Sequence, residues 1–166
     1  MVEYNKMRRF DREITEFSEI LDILRRTQTI RLGLNGDPYP YVVPLSFGYE
    51  AIGKDARGIA IYVHGAGEGL KHDLIAGDNR VSVEADIFHC FTLHGEGADK
   101  SITTEYESVV GFGTAEAVTG AEAERGVTLL LEHCGYPDFT YDKTALDKLR
   151  VYKISLTNIK GKRNIL

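Results

Sequence analysis

Cysteine is scarce in this chain: only Cys90 and Cys134 occur in 166 residues, far apart and without a CxxC pair. That argues against a disulfide framework or a structural zinc site and leaves two reduced, structural thiols. Basic charge is also short. Lysine and arginine number 20 against 25 acids, giving a net charge of −5 and a pI near 5.5, whereas a nucleic-acid binder carries a basic patch. No apolar run approaches the ~20 residues that cross a bilayer, and the charged N-terminus differs from the apolar heart of a signal peptide. A cytoplasmic protein is expected, with neither membrane nor nucleic acid as partner. Hydrolytic motifs are missing too: there is no GxSxG elbow, no HExxH and no Ser/His/Asp set at a recognisable spacing. His89, Cys90 and His94 lack a convincing fourth ligand, so no metal is expected.

What is present suits one domain spanning residues 1–166, because this length at 43% hydrophobic content can bury one sizeable core and no more. Phe17 to Thr27 reads as a short helix, with Ile20, Leu21 and Leu24 apolar, acids early and Arg25-Arg26 late. The pattern then turns β-rich over Thr29–Leu34, Tyr41–Tyr49, Gly58–Val63, Arg80–Phe88, Tyr106–Thr119 and Val151–Lys160. Six to seven antiparallel strands with turn signals between them predict a mainly β barrel with peripheral helices. Those helices are Leu70–Ile75 and Ala121–Cys134, the latter burying Val127, Leu130 and Leu131. His94–Lys100 reads as a polar loop, and Gly111 and Gly113 as the bends that closing a small barrel requires.

The segment Arg31–Lys71 carries the chemistry. Asn35-Gly36-Asp37 signals a hairpin, and Pro44, which cannot donate to a ladder, marks an edge or bulge within Val42, Val43, Pro44 and Leu45. Backbone groups at such an edge are free for a ligand. The apolar run ending at Val63 empties into HGAGEGLK at 64–71, where Gly65, Gly67 and Gly69 allow close backbone approach and Lys71 offers a point charge for phosphate. Positive φ or close approach at Gly67 would make a bulky residue there damaging. This is not the GxGxxG of a dinucleotide fold, because no βαβ pattern follows. His64 should lie at the pocket rim. His72 should point to solvent or help the anion site, and Glu105 and Glu107 should form a solvated face.

Four segments, PYVVPLSFGYE at 40–50, IYVHGAGEGLKHDLI at 61–75, YESVVGFGTAEAV at 106–118 and YKISLTNIKGKRN at 152–164, together resemble the FMN-binding split β-barrel proteins related to pyridoxamine 5'-phosphate oxidase. Within them the chain is most similar to the 5-nitroimidazole antibiotic resistance branch, and MRRFDREIT at 7–15 fits as well. The resemblance implies a homodimer holding FMN at the subunit interface. It implies that Lys71 holds the flavin phosphate, that the backbone around Val42–Leu45 faces the ring and that His64 sits beside it as the catalytic residue. Tyr106, Ser108 and Val109 match a Tyr-x-Ser-Val element that approaches the flavin from the second subunit. The cluster Lys160, Lys162 and Arg163 then reads as an anion contact.

The implied reaction is electron transfer from reduced flavin to a small aromatic or nitroaromatic acceptor. A pyridoxamine 5'-phosphate oxidase is the alternative, disfavoured because NIKGKRNIL at 158–166 lacks the longer arginine-rich substrate segment. A flavin-binding module without turnover is the other.

Overall fold

A computed structural model describes residues 6–53 and 58–165. Eight strands form one antiparallel sheet: β1 (Glu13–Ile14), β2 (Ile30–Leu34), β3 (Tyr41–Leu45), β4 (Gly48–Ile52), β5 (Gly58–Ala66), β6 (Arg80–His94), β7 (Ser101–Val118) and β8 (Leu149–Asn164). Three α-helices accompany it: α1 (Phe17–Arg26), α2 (Leu70–Gly77) and α3 (Gly120–His133). The sheet runs β3-β2-β6-β7-β8-β5-β4, with β1 paired to β8 off that path. This is a mainly β split barrel with peripheral helices, as expected, with eight strands among the described residues where six to seven are predicted.

The predicted strand Tyr41–Tyr49 is two strands. Ser46 and Phe47 interrupt it, β3 pairs with β2 while β4 pairs with β5, and the two halves therefore stand at opposite ends of the strand path. Phe47, fully buried, anchors the crossing point in the core. Strand alternation sorts the side chains. Ile30, Leu32 and Leu34 of β2, Ile59, Ile61 and Val63 of β5, and Ile154 and Leu156 of β8 fill the barrel with Ile20, Ile23 and Leu24 of α1. On the other face of β5, Ala60 and Tyr62 pack with Leu129 of α3. Gly111 and Gly113 do serve closure, since an added Cβ at either would collide with β8 at Leu156 or Ser155.

Strands β6 and β7 outrun their predicted limits and leave only 95–100 as the connection, with a 3₁₀ turn at Gly97–Asp99. Beyond a register shift between Phe88 and Cys90 they continue as a two-stranded ribbon. Phe88, Phe91, Leu93 and Ile102 are exposed there. With no buried face, the ribbon has no alternation for a sequence reading to detect.

Candidate functional site

Every residue expected at the site is described, and alternation decides which can offer a side chain. On β3, Tyr41, Val43 and Leu45 pack against the barrel core, so Val42 and Pro44 alone face outward. On β7, Val109 is buried inside the barrel, while Tyr106 and Ser108 lie on the outer face. Val43, Leu45 and Val109 are held inward by the hydrophobic core and can contribute backbone only, while Val42, Pro44, Tyr106 and Ser108 also turn a side chain outward.

The HGAGEGLK turn forms because β5 runs on through Ala66 while α2 begins at Leu70. Gly69 caps that helix with φ +132° and ψ 158°, a conformation nearly restricted to glycine. Lys71 folds back over Gly65. A Cβ built on Gly65 would lie 2.6 Å from Lys71 Nζ and 3.5 Å from its Cε, so the absent side chain is what admits the ammonium. Gly67, by contrast, shows neither a positive φ nor any atom within 4 Å of an added Cβ. The demand placed on Gly67 from sequence belongs instead to Gly65 and Gly69.

His64 pairs across the ladder with Val151 and lies on the strand face shared by Ala60 and Tyr62. Its Nδ1 is buried and makes no hydrogen bond among the described residues. Burial first, and then the Lys71 charge, hold the imidazole below its ordinary pKa, keeping it neutral. Lys71 is itself shifted down by burial. A buried polar atom without a partner costs free energy, and here it belongs to the residue that opens the glycine turn, next to Gly65, over which the desolvated Lys71 cation lies. That set fits a bound group with an anionic end and a hydrogen-bonding ring.

His72 departs from expectation, being 4% exposed rather than turned to solvent. Its Nδ1 lies 2.9 Å from the Tyr152 hydroxyl, and the two rings stack at 5.5 Å. Burial lowers its pKa, opposed by a hydrogen bond to the Ala66 backbone and assisted by Lys71 and Arg150. Sequence reasoning missed this residue because a histidine after a lysine at a helix start carries no local sign of burial.

A second cluster occupies the outer face of β7 and β8. Lys162 Nζ stands 5.6 Å from the Tyr106 ring centroid. Burial pushes the Tyr106 phenol up, yet Lys162 and Arg12 outweigh it and its pKa falls below the ordinary value. Arg12 had no motif to mark it. Lys160 and Arg163, grouped with Lys162 from sequence, have other partners: Lys160 pairs with Glu13, and Arg163 with Glu107 and Glu19. Glu107 is no solvated acid. It is 3% exposed and bound by Arg26 and Arg163 at 2.8 Å and His89 at 3.1 Å.

The chain does not bring the two clusters together. His64 stands beside Val151, and Val151 beside Val118, so Val109 lies nine strand residues away, about 30 Å at ~3.3 Å per residue. No group of three or more His, Cys, Asp or Glu side chains suited to a metal occurs among the described residues. Among them too, no helix is long and apolar enough to cross a membrane.

The family model described as pyridoxamine 5'-phosphate oxidase matches residues 16–163. The chain belongs to that family. Solved structures share its fold at low identity. One is a candidate 5-nitroimidazole antibiotic resistance protein from Bacteroides thetaiotaomicron, with TM-score 0.74 and 22% identity over 90% of this chain and 85% of that one. A flavocytochrome from Azotobacter vinelandii gives 0.78 and 14%, over 99% and 75%. An FAD and heme binding protein from Mycobacterium smegmatis gives 0.72 and 18%, over 92% and 73%. No curated protein sequence matches the chain.

Proposed function

We propose that this member of the pyridoxamine 5'-phosphate oxidase family is an FMN-dependent oxidoreductase that passes electrons from reduced flavin to a small aromatic acceptor such as a nitroimidazole. The observation that carries the reading is the pairing of two neighbours at the turn: His64, whose buried Nδ1 has no partner among the described residues, and Gly65, over which the Lys71 ammonium lies. The resistance protein, the flavocytochrome and the FAD and heme binding protein that share the fold support the same chemistry.

FMN, when bound, would supply the two-electron chemistry. Lys71 and the open backbone at Gly67 and Gly69 would hold its phosphate. Val42 and Pro44, with the backbone of Val43 and Leu45, would border its ring. His64, neutral at physiological pH, would hydrogen-bond the acceptor and exchange a proton with it.

The working unit in this reading is a cytoplasmic homodimer. Its support is the separation of the two clusters within one chain, which lets Tyr106, Ser108 and the backbone of Val109 serve a partner's turn. The exposed Val42, Phe88, Phe91, Leu93 and Ile102 offer the apolar surface a second copy would cover. The test is direct: the purified protein should show flavin absorbance, lose it with NADH or NADPH, and regain it with a nitroimidazole. Colour without reoxidation by any nitroaromatic would reduce the protein to a flavin-binding module, and absence of flavin affinity would refute the reading.

A further inference from the structure

His72 touches the glycine turn at several points without belonging to it. Its backbone N–H donates to the Gly69 carbonyl at 2.9 Å. Its Cε1 lies 4.0 Å from where a Cβ on Gly65 would stand, and its Cδ2 4.0 Å from one on Gly69. The far side of the ring is fixed to β8, where the Tyr152 hydroxyl meets Nδ1 and the Tyr152 ring stacks at 17° to it. Tyr152 is 3% exposed and pairs with Val63, the residue before His64, so its own position is set by the barrel core.

We infer that His72 and Tyr152 form a positioning pair that fastens the Ala66–Lys71 turn to β8 and so shapes it for a phosphate ester. The inference deepens the FMN reading and rests on it. A glycine-rich turn loses more conformational freedom on ordering than any other segment, and a turn left mobile must lose that freedom when the ligand binds. A buried ring packed against the turn on one side and bonded to Tyr152 on the other removes the freedom beforehand. Lys71, next in sequence to His72, then projects over Gly65 before any ligand arrives. The pair acts on the phosphate end alone, because its contacts are with the turn and not with β3.

The experiment compares FMN with riboflavin, which lacks the phosphate, by fluorescence titration of the full chain. Wild-type protein should prefer FMN. Tyr152→Phe, which removes one hydroxyl, should cut FMN affinity about five- to tenfold, the worth of one hydrogen bond, while riboflavin affinity stays within twofold. His72→Leu should do the same or more. His72→Gln, with an amide able to donate and accept, should restore most of the FMN preference. Equal loss of both flavins, or an unchanged FMN preference in Tyr152→Phe, would overturn the pair's role while leaving the proposed function of the wild-type protein standing. A wild type without preference for FMN would instead refute the phosphate site and the inference with it. Hydrogen exchange on the flavin-free protein gives a second reading: Tyr152→Phe should speed exchange within 66–71 at least threefold with α3 unchanged, and identical exchange would overturn the proposal.

Discussion

Lys71 Nζ occupies the space a side chain on Gly65 would claim, 2.6 Å from its Cβ position. The two residues lie on different elements, a strand end and a helix start, and the glycine turn exists to bring them together. An ammonium held there, and shifted down by burial, is poorly solvated and gains from an anion.

Lys71→Ala should therefore weaken FMN binding by about 1.5–3 kcal/mol, the range of a charge-assisted hydrogen bond. Because burial lowers the Lys71 pKa from its ordinary 10.5, affinity should decline with rising pH before a free lysine would titrate. Fluorescence titration between pH 7 and 10 checks both, and an affinity indifferent to the substitution removes Lys71 from the phosphate site.

The three glycines of the turn should separate cleanly. Gly69→Ala forces a non-glycine residue to φ +132° and should cost about 1–3 kcal/mol in urea unfolding. Gly67→Ala should stay within about 0.5 kcal/mol. Gly65→Ala should displace the flexible end of Lys71, leaving stability nearly intact while lowering FMN affinity. Equal stability loss at all three positions would contradict the geometry.

His64→Ala should leave flavin largely bound and slow acceptor reduction by roughly 10²-fold, the lower range for lost acid–base assistance. Since burial and Lys71 depress the His64 pKa, the wild-type rate should hold to a pH below the ordinary value of 6.5 before falling. A rate that changes only above pH 8 would assign the titration to another group.

Glu107 ties α1 to the sheet through Arg26 and to β8 through Arg163, which also reaches Glu19. Burial raises its pKa, but Arg26, Arg163 and His89 together bring it below the ordinary 4.5. The depressed value means the carboxylate contributes stability above pH 4.5 that is lost as pH falls through the folded pKa. Glu107→Gln should cost about 1–3 kcal/mol at pH 7 and show a flatter acid limb in denaturation from pH 6 to 3. Identical acid limbs would show that the cluster is electrostatically idle.

Much of this was legible in the chain itself. Ile30, Leu32 and Leu34 alternate, and Ile20 and Leu24 recur at helical spacing, because each set has one buried side. The glycine turn and Lys71 were visible for the same reason that they work, since few other residue types permit such geometry. Other features left no local trace. Glu107 reads as one of a pair with Glu105, and only the antiparallel register of β6, β7 and β8 with α1 beside it surrounds it with His89, Arg163 and Arg26. His72 is buried by Tyr152, eighty residues later in the chain. The inward aim of Val43, Leu45 and Val109 follows from which strand face meets the core, a matter of pairing rather than composition.

Strands β3 and β4 are neighbours in sequence but terminal at opposite ends of the strand path, joined across Ser46 and Phe47. Seating these two residues draws on the pairing of β2, β6, β7, β8 and β5, and three of those four pairings, all but the β6–β7 hairpin, are distant in sequence. Loop-closure entropy makes such contacts slow to form. Completion of the sheet at β3 and β4 is thus an event of late folding, reached once the sheet has wrapped round on itself. Flavin would therefore capture the finished barrel and slow its unfolding, rather than template its assembly.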